Sequence, residues 1–398
     1  MNIKRIVYKY LLQEIDRSYI SILIGPRQVG KTFLLRQIEL ACKRKKLKTA
    51  FYNLEDPRDL QQFTGSEDKV IEKLQQPLDV IFIDEFHYLK NATKLFKVLY
   101  DSNSSIKIFA SGSSSMEIHK HLKESLAGRY RLSFIYPLYY KEEIQLPVYT
   151  LEDYLKYGGL PGLVHEKKPV DKMSLLQNIL ATYLQKDIKS LIKEENIRAY
   201  NHLLYSLAQS QGSPVAVANL AREVGLSEPA VKYHLELMAQ TYVCYPLESY
   251  AKNLANELKK TKKYYLYDIG MRNIILNDFS SLSLRQDKGV IVESFVFLSV
   301  IKQLKPNMEV KFWRTRQGDE VDFILLKNRI PVPVEVKYNM TGRQVPEGMQ
   351  KFLMKYKEAP YGIVITKKGA GEITFDGRVI KFMDWHQAET IAYLQNVE

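Results

Sequence analysis

Five apolar runs follow one another through the first third of the chain: SYISILI (18–24), KTAFYNL (48–54), LDVIFID (78–84), IKIFASG (106–112) and RLSFIYPL (131–138). Amphipathic stretches separate them, beginning with residues 31–45. Short apolar runs read as buried strands, and apolar residues spaced three and four apart read as helices. Their alternation predicts a parallel sheet covered on both faces. Residues 138–194 read as helical, broken by GGLPG at 158–162. Residues 195–267 read as three helices and a hairpin. Beyond them the pattern predicts a helix over 287–304, strands near 309–314, 321–326 and 332–337, a helix over 346–357 and a strand over 361–366. The expected organisation is therefore an α/β core (1–137), a helical lid (138–194), a helix-turn-helix module (195–267) and a second α/β domain (268–398).

The first run ends in Gly25-Pro26-Arg27-Gln28-Val29-Gly30-Lys31-Thr32, which matches G-x-x-x-x-G-K-[ST] between a strand and a helix, and Phe33 follows within that helix. Gly25 and Gly30 let the backbone turn its N–H groups inward at a helix N-terminus, a concave site for phosphate. Lys31 supplies a charge for the β- and γ-phosphates, and the Thr32 hydroxyl is a ligand for Mg²⁺. The expected cofactors are ATP and Mg²⁺. The third run ends in Asp84-Glu85, which places two carboxylates at the C-terminal edge of the sheet, where ligands bind in such folds. Asp84 is the candidate for holding Mg²⁺ through water and Glu85 for polarising the attacking water. Ser111 and Ser113, ending the fourth run, are candidates for sensing the γ-phosphate, and either also fits a plain turn. Arg129, before the last core strand, is a candidate for neutralising transition-state charge, in cis or in a neighbouring subunit of a homo-oligomer; Arg131 competes for that role.

GPRQVGKT, NLEDP (53–57), IFIDEFH (81–87), ASGSSS (110–115) and LAGRYRLSFIYPLYYKEE (126–143) together resemble AAA+-superfamily ATPases of bacteria and archaea that carry a C-terminal domain of unknown function. YGGLPGLV (157–164), YDIGMRN (267–273) and the region 309–338 fit the same group. In its subgroup a glutamate follows the aspartate and an extra strand lies between the P-loop strand and the Asp-Glu strand; IKIFASG fits that strand. The resemblance implies ATP hydrolysis, a winged helix and a nuclease-like C-terminal fold.

Residues 217–247 have the rhythm of a helix-turn-helix. Leu220 and Val224 share a face, Gly225 permits the turn, Ser227 can cap the second helix with Pro229 in its first turn, and Val231, Leu235 and Met238 face a core. If the module binds DNA, Lys232, Tyr233 and His234 are the expected contacts, and KKTKK (Lys259 to Lys263) would meet phosphates from the wing. Glu228 and Glu236 flank that face and oppose it.

Near the end, Asp322 opens one expected strand, Glu335 and Lys337 lie two apart on the next, and Glu293 sits on the preceding helix. Carboxylates with a lysine at a sheet end can bind Mg²⁺ and activate water for phosphodiester attack. The set resembles the PD-(D/E)xK nuclease pattern, with Gln350 at a polar position on the following helix. The alternative is a fold whose site has degenerated.

Of 398 residues, 58 are Lys or Arg and 45 are Asp or Glu, a net charge of +13 that favours polyanionic partners, DNA or RNA above all. The two cysteines, Cys42 and Cys244, exclude a disulfide framework and a zinc-finger spacing. No signal peptide is read at the start. The longest apolar segment, 290–301, is interrupted by Glu293 and too short to span a bilayer. A cytoplasmic protein with no membrane partner is expected. Two whole-chain readings remain open: an ATPase acting on nucleic acid, and a regulatory ATP switch whose later modules bind protein.

Overall fold

The computed structural model describes residues 3–63, 67–74, 77–89, 92–101, 106–112, 126–143, 149–188, 196–251 and 261–391. Ser113, Lys259 and Lys260 lie outside the described residues. Contacts divide the chain into two compact units. The first holds Met1–Leu138, Leu160–His165 and Glu236–Val243; the second holds Tyr139–Gly159, Glu166–Leu235 and Cys244–Glu398. This grouping cuts across the four segments expected from sequence: most of 138–194 groups with the C-terminal residues, whereas Leu160–His165 groups with the N-terminal ones.

The first unit is built on a five-stranded parallel sheet, β1 (Ile20–Ile24), β2 (Thr49–Asn53), β3 (Val80–Asp84), β4 (Lys107–Gly112) and β5 (Tyr130–Phe134). Their order is β2-β3-β4-β1-β5, so β4 is the strand inserted between β1 and β3. Every residue of β1, β3 and β4 is buried, as a sheet covered on both faces requires. Phe51, Phe82 and Phe109 stand side by side across β2, β3 and β4, with successive ring centroids 5.9 and 5.4 Å apart. The helix Lys31–Arg44 packs Leu34, Leu35 and Ile38 inward at i, i+1 and i+4.

The second unit contains two sheets. In the smaller, β6 (Pro214–Val215), β8 (Lys262–Leu266) and β7 (Cys244–Leu247) lie antiparallel in that order. The helices Val217–Val224 and Glu228–Gln240 stand between β6 and β7 in sequence, and Gly225, with φ +70°, closes the first. The larger sheet has six strands: β9 (Met308–Arg314), β10 (Glu320–Lys327), β11 (Ile330–Lys337), β12 (Tyr361–Thr366), β13 (Glu372–Phe375) and β14 (Arg378–Asp384). It is mixed, in the order β13-β14-β12-β11-β10-β9, with β11, β12 and β14 parallel. The hairpin β13–β14 was not foreseen. Its burial is intermittent, so no apolar run announces it.

YGG (157–159) and YDIGMRN interlock within this unit. Asp268 caps the helix Ile269–Leu276 by accepting from Met271 N, and its other oxygen accepts from Gly159 N at 2.8 Å. A Cβ on Gly270 would lie 1.8 Å from the Tyr157 carbonyl oxygen. These residues hold two helices together.

Candidate functional site

At the C-terminal end of β1 the chain turns through Gly25. A Cβ there would lie 2.2 Å from the Ile135 carbonyl oxygen, so only glycine fits. Gln28 (φ 63°) and Gly30 (φ 87°) take left-handed conformations, and Gly30 is the N-cap of Lys31–Arg44. Pro26 and Arg27 are half-buried, and Val29 is fully buried and fixes the loop to the core. Lys31 is 5% exposed, and its ammonium donates to the carbonyls of Gly25 (2.9 Å) and Pro26 (2.8 Å). The charge is thus folded back over the loop at the helix N-terminus.

Asp84 ends β3 and is 1% exposed. Burial pushes its carboxyl above the usual range, opposed by hydrogen bonds from Ser111 and Thr32 and by the Lys31 charge. Ser111 reaches it because β4 is the neighbour of β3; the Ser111 hydroxyl donates to Asp84 Oδ1, and the Glu85 amide lies 3.4 Å from that same hydroxyl oxygen. Glu85 leaves the strand in a left-handed conformation (φ 54°, ψ 49°), an unusual cost for a non-glycine residue. Its Oε2 stands 3.2 Å from His87 Nδ1. Lys31, Thr32, Asp84, Glu85 and Ser111 therefore assemble at one edge of the sheet.

Arg129 does not join them. It precedes β5, and β5 is parallel to β1 with Tyr130 opposite Ile20, the start of β1. The strand length, about 13 Å, lies between Arg129 and the loop that follows Ile24. Arg129 instead grips Asp101 with two hydrogen bonds, 2.7 and 3.2 Å. Arg131 is near that edge too, donating to Tyr19 Oη at 3.0 Å.

Arg5 was not anticipated. It donates to Val29 O (2.9 Å) and to Tyr136 O (2.8 Å), tying the N-terminal segment to the phosphate loop. With Gly30, Phe33, Leu138, Pro161 and His165 it lines a cavity of about 170 Å³ beside the loop. No motif marks Arg5; only the chain's return places it there.

The residues 17–144 match the AAA domain family. This part of the chain is similar to AAA domains. That match is followed by matches to two domains of unknown function, DUF8612 over 148–282 and DUF4143 over 288–385. An uncharacterized protein of Methanocaldococcus jannaschii is 27% identical over 82% of this chain and 76% of its own length. An uncharacterized protein of Mycobacterium tuberculosis is 24% identical over 89% of this chain and 78% of its own. Among solved structures, AMPPCP-bound DnaA from Aquifex aeolicus aligns at 15% identity over 58% of this chain and 85% of that one, with a TM-score of 0.29.

The second unit holds the other candidate residues. Asp322 lies on β10 where its register with β9 shifts, between Val321 and Ile324, and its Oδ2 accepts from Val336 N at 2.8 Å. Glu335 is 5% exposed, and Lys337 pairs with its Oε1 at 2.7 Å. Burial, reinforced by Asp322, pushes the Glu335 carboxyl up to about 8. Burial likewise pushes Glu293 to about 7, with Asp322 adding to it and Lys263 opposing. Gln350 donates to Val345 O at 2.7 Å. Among the described residues, no group of three or more His, Cys, Asp and Glu is arranged to hold a metal ion.

The expected nucleic-acid contacts divide. Lys232 is exposed and Tyr233 is 47% exposed. His234 is 3% exposed with its ring against Tyr200, so it is a core residue. Lys262 pairs with Glu248 at 3.1 Å. Lys263 is wholly buried and cannot meet a phosphate, because alternation along β8 turns it inward with Tyr265. No helix among the described residues is long and apolar enough to cross a membrane.

Proposed function

We propose that the AAA-like domain binds and hydrolyses ATP. The observation that carries this reading is the convergence of the buried Lys31 ammonium, the Asp84 carboxylate with its Thr32 and Ser111 donors, and Glu85 at one sheet edge. Backbone N–H groups at the start of Lys31–Arg44 would receive the phosphates, and Lys31 would exchange its two carbonyl partners for phosphate oxygens. Thr32 and Asp84 offer an all-oxygen donor set suited to Mg²⁺, which neutralises phosphate charge when bound. Glu85 would orient and polarise water. The cavity between Arg5, Phe33 and Pro161 is apolar on most of its wall and adjoins the loop, which suits the nucleoside.

We further propose that the chain acts on nucleic acid. The helix-turn-helix with its three-stranded sheet has the element order of a winged helix, and Lys232 and Tyr233 are the exposed residues on its second helix. One observation favours the alternative, a regulatory switch with protein partners: of the wing lysines described, Lys263 is buried and Lys262 is ion-paired.

Steady-state ATP turnover with Mg²⁺, with and without single- and double-stranded DNA or RNA, tests both. Wild type should turn over and Lys31→Ala should lose turnover by at least about a hundredfold; equal rates would overturn the ATPase reading. Nucleic-acid affinity should fall steeply with salt and weaken in Lys232→Ala. Indifference to every nucleic acid would leave the switch reading.

A further inference from the structure

Three carboxylates of the second unit, Glu293, Glu320 and Asp322, cluster against one fully buried ammonium, that of Lys263, and Glu335 adjoins them through Asp322. Its Nζ lies 2.5 Å from Glu320 Oε1 and 3.7 Å from Glu293 Oε1, and it is coupled electrostatically to Asp322. The Phe312 ring covers it at 5.2 Å. Lys263 arrives on β8. Beyond the partner strand β7, Glu248 O accepts from Phe312 N at 3.0 Å and Tyr250 N donates to Phe312 O at 2.6 Å, which joins the small sheet to the edge strand β9. Tyr265, two residues along on the same face, donates to Glu293 Oε1.

Buried carboxylates this close need a cation, and two kinds can serve: a metal ion or a protein ammonium. We propose that Lys263 is that cation, standing permanently where a divalent ion would sit, so that the PD-(D/E)xK-like cluster is a metal-free charge centre and not a cleavage site. Glu293 Oε1 is engaged by Tyr265 and Lys263, Glu320 by Lys263 and by Arg314 at 2.9 Å, Asp322 Oδ2 by the Val336 amide, and Glu335 Oε1 by Lys337, while Glu335 Oε2 has no hydrogen-bond partner. Mg²⁺ demands six oxygens in near-octahedral array, and among the described residues no group of three or more His, Cys, Asp and Glu is arranged to hold a metal ion. The ammonium and the carboxylates also come from different modules. Lys263 lies in the segment matched as DUF8612, and Glu293, Glu320, Asp322 and Glu335 in that matched as DUF4143. The ion cluster ties the two together.

Mn²⁺ binding by nucleotide-free full-length protein, followed by the loss of the free-ion spin-resonance signal, tests this without reference to ATP. Wild type should show no Mn²⁺ site that Asp322→Asn abolishes, and its melting temperature should ignore Mn²⁺ and EDTA. Lys263→Ala should melt lower, gain an Asp322-dependent Mn²⁺ site at least about tenfold tighter than any in wild type, and recover melting temperature when Mn²⁺ is added. Lys263→Met combined with Glu293→Gln, which removes one charge of each sign, should fold and gain no such site. Asp322-dependent Mn²⁺ binding by wild type, or cleavage of DNA or RNA that Glu335→Gln abolishes, would overturn the proposal. So would a folded Lys263→Ala that binds no Mn²⁺. If Lys263→Ala does not fold, the wild-type Mn²⁺ and cleavage measurements decide alone.

Discussion

The hydroxyl of Ser111, at the end of β4, donates a hydrogen bond to the carboxylate of Asp84, at the end of β3. The two are 27 residues apart in sequence and meet because β4 is inserted beside β3. A buried carboxylate loses solvation, and each donor returns part of it; a hydrogen bond to a charged group contributes about 1.5–3 kcal/mol. Ser111→Ala should therefore lower ATP turnover by about tenfold while the protein stays folded, measured by steady-state hydrolysis beside circular dichroism. Unchanged turnover would reduce Ser111 to a packing residue.

Glu85 is held in a left-handed conformation beside His87. Glu85→Gln keeps the size and removes the base, so ATP should bind with affinity within about threefold of wild type while turnover falls at least a hundredfold. Nucleotide binding by fluorescence alongside single-turnover hydrolysis separates the two. Wild-type turnover would move the base elsewhere.

Arg129 lies at the sheet edge opposite its own phosphate loop and is paired with Asp101. Arg129→Ala should change turnover by less than about twofold at dilutions where the chain is monomeric. A larger loss confined to high protein concentration would assign Arg129 to a neighbouring subunit; a large loss at every concentration would contradict the placement.

Gly270 lies in the helix Ile269–Leu276, where propensity alone favours alanine by about 1 kcal/mol. The Tyr157 carbonyl stands where the new Cβ would go, and forced overpacking costs about 1–3 kcal/mol. Gly270→Ala should lower stability, whereas Gly289→Ala, in a helix with nothing within 4 Å of the new Cβ, should leave it equal or raise it by up to about 1 kcal/mol. Denaturant unfolding of both variants would show whether the clash outweighs propensity.

Lys107 is buried at the start of β4, donating to Tyr19 O at 2.6 Å and to Ser21 Oγ at 2.8 Å. Burial lowers its ammonium from 10.5 to about 8, opposed by Glu14. Between those values the unfolded chain binds the extra proton and the folded chain does not. Stability attributable to Lys107 must therefore rise as pH rises from about 8 to 10.5, by up to roughly 3 kcal/mol. Unfolding free energies of wild type minus Lys107→Met across that range should show the rise; a flat difference would mean that Lys107 titrates normally.

The parallel order of the first unit was legible because local signals agree there. Each of β1, β3 and β4 is buried throughout, β1 leads into a helix and β3 into an acidic turn, and the phosphate loop has its own backbone grammar in Gly25 and Gly30. Asp84 and Ser111 could be named from their positions at strand ends, although their contact could not.

What the sequence by itself determined is the five strands of the first unit, the helix that follows the phosphate loop, and the residues at the tips of β1, β3 and β4. Period and turn chemistry are encoded within a few neighbouring residues. Only the tertiary structure decided which end of the sheet Arg129 occupies, that Arg5 returns to the phosphate loop, and that Lys263 is buried. KKTKK reads as a solvated basic tip because nothing within it names a partner. Lys263 is inside because Glu293 and Glu320, 30 and 57 residues on, compensate its charge there. A buried charge is stable only beside its counter-charge, and that proximity exists only once the chain has folded.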